Sequence, residues 1–302
     1  MIEQTERREA QAAREETQTP AWPSSYGGTA QKRLGFFTDT SLCIGCKSCE
    51  VACKEWNNVP DDGFNWTGHS YDNTGSLSAN TWRHVAFIEQ DKLLRSEPGE
   101  GVLGQTEAEG LRWLMSSDVC KHCTNAACLD VCPTGSLFRT EFGTVVVQQD
   151  ICNGCGYCVP ACPFGVIDRR DVEGVNGHGI AQKCTLCYDR TKDGVEPACA
   201  KACPTQSIQF GELAELRERA QARLETVNQR GYADARLYGA DENDGVGGFG
   251  AFFLLLDEPE VYGMPPDPVV TTRDLPSIWG AALAAAGALA GLMGLALLGG
   301  RK

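Results

Sequence analysis

Apolar and polar positions along the chain mark short β-rich runs between turn-rich loops, and the pattern closes on one long apolar stretch. Residues 1–33 are rich in Glu, Gln and Arg and carry Pro20, Pro23 and the Gly27-Gly28 pair, which predicts a polar tail ordered only against a partner. Leu34-Gly35-Phe36-Phe37-Thr38 predicts a first strand, and the Val, Phe and Ile content of residues 81–89 predicts another. Two further β-rich runs, 136–140 and 144–148, are split by Glu141-Phe142-Gly143 and predict a hairpin. Over 212–230 the period becomes helical, with Leu213, Leu216, Ala220, Leu224 and Val227 on one stripe and charges elsewhere. Residues 251–256 predict a strand, and Pro265, Pro266 and Pro268 mark a linker.

Residues 278–300 then run without a charge, about 34 Å as a helix, which is enough to span a bilayer. The competing reading is a buried core helix. Gly287-x-x-x-Gly291 and the many alanines favour close packing on another membrane helix. Trp279 suits one interface and Arg301-Lys302 the other; the two cations favour a cytoplasmic C-terminus and so a globular part outside the cytoplasm. The expected division is a tail (1–33), a core domain (34–210) with an insertion (54–119), a helix–strand extension and linker (211–276) and an anchor helix (277–302).

Cysteine changes this picture most. The 302 residues include 16 cysteines, and every one falls in a repeated motif. In chain order the motifs are Cys43-x-x-Cys46-x-x-Cys49-x-x-x-Cys53, then Cys120-x-x-Cys123-x4-Cys128-x-x-x-Cys132-Pro133, then Cys152-x-x-Cys155-x-x-Cys158-x-x-x-Cys162-Pro163. The fourth is stretched: Cys184-x-x-Cys187, an excursion containing Gly194 and Pro197, then Cys199-x-x-x-Cys203-Pro204. Three closely spaced cysteines let one loop wrap a 4Fe-4S cubane, with Gly154 and Gly156 admitting the backbone to its sulfides, while in ferredoxin runs of this kind the fourth cysteine serves the neighbouring cluster. Three copies also share a Cys-Pro ending followed by a short apolar strand at 136–138, 165–167 and 207–210. The cysteine-free stretch 54–119, with Trp56, Trp66 and Trp82, reads as an insertion over the cluster core.

Other readings of the cysteines are zinc and disulfides. A third cysteine in Cys-x-x-Cys-x-x-Cys has no place in a zinc ribbon, and disulfide scaffolds are typically short secreted chains. No signal peptide is expected at the start, where Arg7-Arg8 has no apolar stretch behind it. The formal charge of -13 disfavours nucleic acid, and four clusters would bring it to roughly -21. Lys47, Lys54, Lys121, Lys183 and Lys201 stand near the loops and either offset that charge or form solvated surface. His69, His84, His122 and His178 are not needed as ligands; His122, inside a cluster loop, either tunes the cluster or donates a hydrogen bond, or is a satisfied surface histidine, which is the expected reading. Gly245-x-Gly247-x-x-Gly250 precedes a strand rather than a helix, so it reads as a glycine turn without a nucleotide. With every cysteine committed, no nucleophile is spare and no catalytic site is expected on this chain.

Four cysteine quartets in this order resemble the four-cluster ferredoxin-like subunits that accompany molybdopterin oxidoreductases. Within that class the chain is similar to the iron-sulfur (β) subunit of respiratory formate dehydrogenase. The resemblance rests on the first motif with Glu55-Trp56-Asn57, on Tyr71-Asp72-Asn73 with Leu77-Ser78-Ala79, and on Cys152-Asn153-Gly154-Cys155-Gly156-Tyr157-Cys158. Residues 183–190, Glu196-Pro197-Ala198-Cys199, Gly245-Val246-Gly247-Gly248 and the single C-terminal apolar helix add to it.

The resemblance implies an α+β fold of tandem ferredoxin-like 4Fe-4S domains, arranged as two pseudo-symmetric pairs, plus one transmembrane helix. It also implies four clusters with swapped ligands. Cys43, Cys46, Cys49 and Cys203 would hold the first, and Cys184, Cys187, Cys199 and Cys53 the second. Cys120, Cys123, Cys128 and Cys162 would hold the third, and Cys152, Cys155, Cys158 and Cys132 the fourth. The implied partners are a molybdopterin (Mo or W) catalytic α subunit and a membrane cytochrome b γ subunit that passes electrons to quinone. The alternative within the class is a β subunit of a polysulfide or thiosulfate reductase, or of a hydrogenase.

Overall fold

The computed structural model describes residues 32–63, 66, 68, 71–90, 112–170 and 179–299. The expectations placed on residues 1–31, His69, His178 and Arg301-Lys302 lie outside them.

The apolar run after Arg33 forms strand β1 (Leu34–Asp39), which lies inside a four-stranded sheet. It pairs antiparallel with β8 (Ile208–Glu212) and parallel with β10 (Ala251–Leu255), and β9 (Arg236–Tyr238) closes the far edge. Phe36 faces Phe210 across one ladder and Phe37 stacks on Phe252 across the other, with ring centroids 5.2 Å apart at 18°. Both phenylalanines of β1 are fully buried, each contributing about 1.5–3 kcal/mol of burial free energy. Gly35 permits the close pairing, because a Cβ there would lie 2.1 Å from the carbonyl oxygen of Gly250. Residues on either side of the four motifs therefore meet in one sheet, and this juxtaposes the first motif with the fourth.

The remaining strands pair in twos. β2 (Arg83–Gln90) and β3 (Arg112–Val119) form an antiparallel ribbon over the first motif. The expected hairpin is present as β4 (Leu137–Arg139) and β5 (Val145–Val147). β6 (Asp168–Arg170) pairs with β7 (Ile180–Gln182). The strand expected at 165–167 begins later: Gly165 turns with φ 62°, Val166 and Ile167 are buried, and ladder pairing starts at Asp168.

Each motif carries a helix. Helix α1 (Ser48–Asn57) follows the first loop, α2 (Ala127–Asp130) lies in the second, α3 (Cys158–Ala161) in the third, and α4 (Tyr188–Lys192) and α5 (Ala198–Lys201) in the fourth. Pro133, Pro163 and Pro204 disfavour helical backbone at the residue before them, and the three helices that precede them are single turns. Lys54 replaces proline in the first motif, and α1 runs on to Asn57.

Helix α6 (Leu213–Gln229) buries Leu213, Leu216, Ala220 and Val227, the expected stripe, against β1 and β8. The glycine turn leads into strand β10, not a helix, as its flanking sequence indicates. Helix α7 (Leu275–Gly299) ends the described chain. None of its residues over Ser277–Ala296 is buried, so it is not a core helix; it is long and apolar enough to cross a membrane.

Candidate metal centres

All sixteen cysteines are free, and the fold gathers them in fours. The Cys43 thiol is pushed up to about 11 by burial and by its neighbours Cys49, Cys203 and Cys46. The Cys53 thiol is pushed well above its ordinary range by burial and by Cys184, Cys199 and Cys187. The second and third loops behave alike. Cys123 is raised by burial and by Cys120, Cys128 and Cys162, and these four line one open cavity of about 440 Å³. Cys158 is pushed up to about 11 by burial and by Cys152, Cys155 and, more weakly, Cys132; the four line a second cavity of about 310 Å³. In each group three cysteines come from one motif and the fourth from another, so the last cysteine of every motif faces away from its own loop.

The groups follow one another in space. Cys49 of the first faces Cys199 of the second, Cys184 of the second faces Cys120 of the third, and Cys128 of the third faces Cys158 of the fourth. The second group is entirely buried, whereas the first and fourth each present one exposed cysteine, Cys46 and Cys155. The second group is thus the most deeply buried of the row, which ends on each side in an exposed cysteine.

The donor set suits iron-sulfur clusters. In two of the groups four thiols line a single cavity, the donor set that a 4Fe-4S cluster takes. Buried donors without acceptors point the same way. Nε and Nη2 of Arg83, and Nε2 of His122, have no oxygen or nitrogen partner among the described residues. Asn57 Nδ2 donates to Cys53 and Cys187 sulfurs at 3.7 and 3.9 Å, spanning two motifs within one group. Gly45, with φ 66°, lets the first loop pass beneath the ribbon, since a Cβ would come within 2.6 Å of the Phe87 ring.

Cationic residues cluster on this row. Lys121 and Lys183 are almost fully buried rather than solvated. Lys121 pairs with Asp118 and lies over Phe164 and Phe253, 5.4 and 5.0 Å from their ring centroids. Lys183 donates to the carbonyls of Val145 and Cys184, and its charge draws down the otherwise raised Cys128 thiol. Lys47 and Lys54 are half-buried in ion pairs with Glu50, Asp72 and Asp62, and Lys201 is exposed.

His122 is a correction: it is 1% exposed, not a surface residue. It takes left-handed backbone, φ 46°, and its Nδ1 accepts from the backbone N–H of Val145 at 3.1 Å. The ring proton therefore sits on Nε2, beside the cavity of the third group. Composition groups Arg33 with the tail, yet it donates to Thr124 Oγ1 at 2.6 Å and to the His122 carbonyl at 3.0 Å, bracing the second loop.

Comparison with known proteins bears on this arrangement. Residues 42–136 and 111–213 each match a 4Fe-4S dicluster domain family, with overlap across the second motif. The nitrate-inducible formate dehydrogenase iron-sulfur subunit of Escherichia coli (strain K12) is 40% identical over 267 residues, covering 85% of this chain and 81% of that protein. The chain belongs to the formate dehydrogenase iron-sulfur subunits. The member of this family from Haemophilus influenzae is 39% identical over 236 residues, 77% of this chain and 68% of its own. Outside formate dehydrogenases, one subunit of the Escherichia coli anaerobic dimethyl sulfoxide reductase is 35% identical over 188 residues, 62% of this chain and 77% of that protein. An iron-sulfur subunit of formate dehydrogenase type thus accounts for the two dicluster matches and for the gathered thiols.

Proposed function

We propose that the chain is the electron-transfer subunit of a membrane-bound formate dehydrogenase, relaying electrons through four 4Fe-4S clusters between a molybdopterin catalytic subunit and a membrane cytochrome b subunit that serves quinone. The observation that carries this is the row of four neighbouring cysteine groups, which ends on each side in an exposed cysteine. A bound 4Fe-4S cluster takes up and releases single electrons at a potential set by its surroundings. Cys43, Cys46, Cys49 and Cys203 hold the first centre, and Cys53, Cys184, Cys187 and Cys199 the second. Cys120, Cys123, Cys128 and Cys162 hold the third, and Cys132, Cys152, Cys155 and Cys158 the fourth. The two outer motifs make one pseudo-symmetric pair and the two inner motifs the other.

The route has a direction in space. Thr271 donates to the carbonyl of Ala161 in α3 at 2.9 Å, and Thr272 to the Asp130 carboxylate of α2 at 2.7 Å. The segment entering α7 is thus tied to the third and fourth groups, which favours the membrane partner at that end and the catalytic partner near exposed Cys46. In this reading formate chemistry belongs to the partner, and the globular part lies on the extracytoplasmic side.

The test is anaerobic purification of the complex followed by iron and sulfide analysis and electron paramagnetic resonance with formate as reductant. About 16 irons per chain and clusters reduced by formate are expected. The dimethyl sulfoxide reductase relative favours a second reading, a subunit serving another oxidoreductase. Clusters that stay oxidised with formate but are reoxidised by another substrate after chemical reduction would establish that reading instead.

A further inference from the structure

The ribbon β2–β3 carries a group that covering the clusters does not require. Arg83, the first residue of β2, is 1% exposed, in a position where a buried charge demands a partner. Among the described residues no carboxylate supplies one. Its Nη1 donates to the hydroxyl and the carbonyl of Ser117 at 2.9 and 3.3 Å, its Cζ lies 5.0 Å from the Phe36 ring centroid, and Nε and Nη2 have no oxygen or nitrogen acceptor among the described residues, with the Cys199 sulfur beside the guanidinium. A guanidinium keeps its proton even when buried, and the cysteines that face it are Cys199, Cys49, Cys184 and Cys53. Cys49 belongs to the first group and the other three to the second. Ser117 Oγ also lies 3.2 Å from Cys49 Sγ, so one hydroxyl touches both the guanidinium and a cysteine of the first group.

We infer that Arg83 is a potential-setting residue shared by the first two centres, its fixed charge raising the reduction potential of both. The inference rests on the cluster assignment proposed above. The physics is direct: reduction adds one negative charge to a centre, and an enclosed cation favours that addition. At about 10 Å and an effective dielectric near 20, a unit charge changes each reduction equilibrium by roughly tenfold, which is about 59 mV for a one-electron couple. Lys121 and Lys183 line the cavity of the third group, whereas the cysteines that face Arg83 all belong to the first two, so its effect falls mainly on that half of the row.

The experiment is a potentiometric titration of the purified complex followed by electron paramagnetic resonance, comparing wild type with Arg83→Met and Arg83→Lys. Iron content checks the assignment separately from the inference: four clusters per chain must be present before potentials are compared. In R83M two of the four potentials become more negative by about 59 mV and two stay in place; in R83K, which keeps the charge, the same two move much less. Unchanged potentials in R83M, or equal shifts in R83M and R83K, would overturn the inference. If R83M does not take up its iron, Arg83→Gln decides, because the amide keeps a hydrogen-bond donor for Ser117 and removes only the charge. The same two potentials then fall, and a chain in which they do not move refutes the role.

Discussion

The hydroxyl of Ser207 donates to the backbone carbonyl of Asp39 at 2.7 Å across 168 residues of chain. The Asp39 N–H returns the bond to the Ser207 carbonyl at 2.8 Å, and Ser207 is 1% exposed. This reciprocal pair stands where β1 runs into the first motif and the fourth motif runs out into β8. Ser207→Ala is expected to cost about 1–3 kcal/mol, the penalty of a buried carbonyl left short of a donor. Anaerobic thermal unfolding of the loaded complex measures it.

Asp39 has a second partner in Arg223 of α6, whose Nε lies 2.7 Å from a carboxylate that is fully buried. Removing only the cation leaves that buried carboxylate with the N–H and hydroxyl of Ser41 but no counter-charge. Arg223→Met is therefore expected to destabilise by about 3–5 kcal/mol, more than the serine change. Replacing both residues, as Asp39→Asn with Arg223→Met, recovers part of the loss, which a double-mutant cycle on unfolding free energies would reveal.

The sharing of ligands between motifs predicts an unusual mutational signature. Cys162→Ser changes the electron paramagnetic resonance signal of the centre held by Cys120, Cys123 and Cys128, and leaves that of Cys152, Cys155 and Cys158 at first unaltered. If only the centre of its own loop responded, the swapped assignment would be wrong.

His122 offers a gentler probe of the third centre. Asparagine tolerates the left-handed backbone this position requires, so His122→Asn avoids the strain most replacements bring. It withdraws the acceptor of the Val145 N–H and the Nε2 donor at the cavity. A loss of about 1–3 kcal/mol is expected, together with a changed resonance of the third centre alone. A spectrum identical to wild type would show that the ring donates nothing to that centre.

The metal-free chain is expected to be sensitive to alkali. Burial pushes the Cys128 thiol up to about 12 and the Cys43 and Cys158 thiols up to about 11, from an ordinary 9.0. Over that window the folded chain retains protons that the unfolded chain releases. This contribution to stability is fully present below pH 9 and is lost as the pH rises through 11 to 12. Tryptophan fluorescence of chelator-treated protein between about pH 7 and 12 follows the loss; the loaded protein, whose thiols are already deprotonated by iron, lacks this transition.

Much of this molecule is legible along the chain because its cysteines impose short-range order. The four spacings, the three Cys-Pro endings and the stripe on α6 are local patterns, and each appears in the fold where its period places it. Arg33, Arg83 and His122 are different. Their roles depend on what another segment brings to them: Thr124 to Arg33, Ser117 to Arg83, Val145 to His122. A lone arginine at the start of an apolar strand is the available signal for Arg83. Composition misplaces Arg33 and His122, since polar residues are normally solvated and only long-range contacts reveal these two as buried supports.

The pairing of β1 with β8 also sets an order of construction. Under the proposed assignment, the third and fourth groups have all their ligands during synthesis once Cys162 has emerged. The first group, whose opening cysteine is made earliest, waits for Cys203, and β1 waits longer still for residues 208–212. The nascent chain must therefore carry Cys43, Cys46 and Cys49 as uncommitted thiols through much of its translation. On that assignment the inner half of the chain can receive iron before the outer motifs close around it.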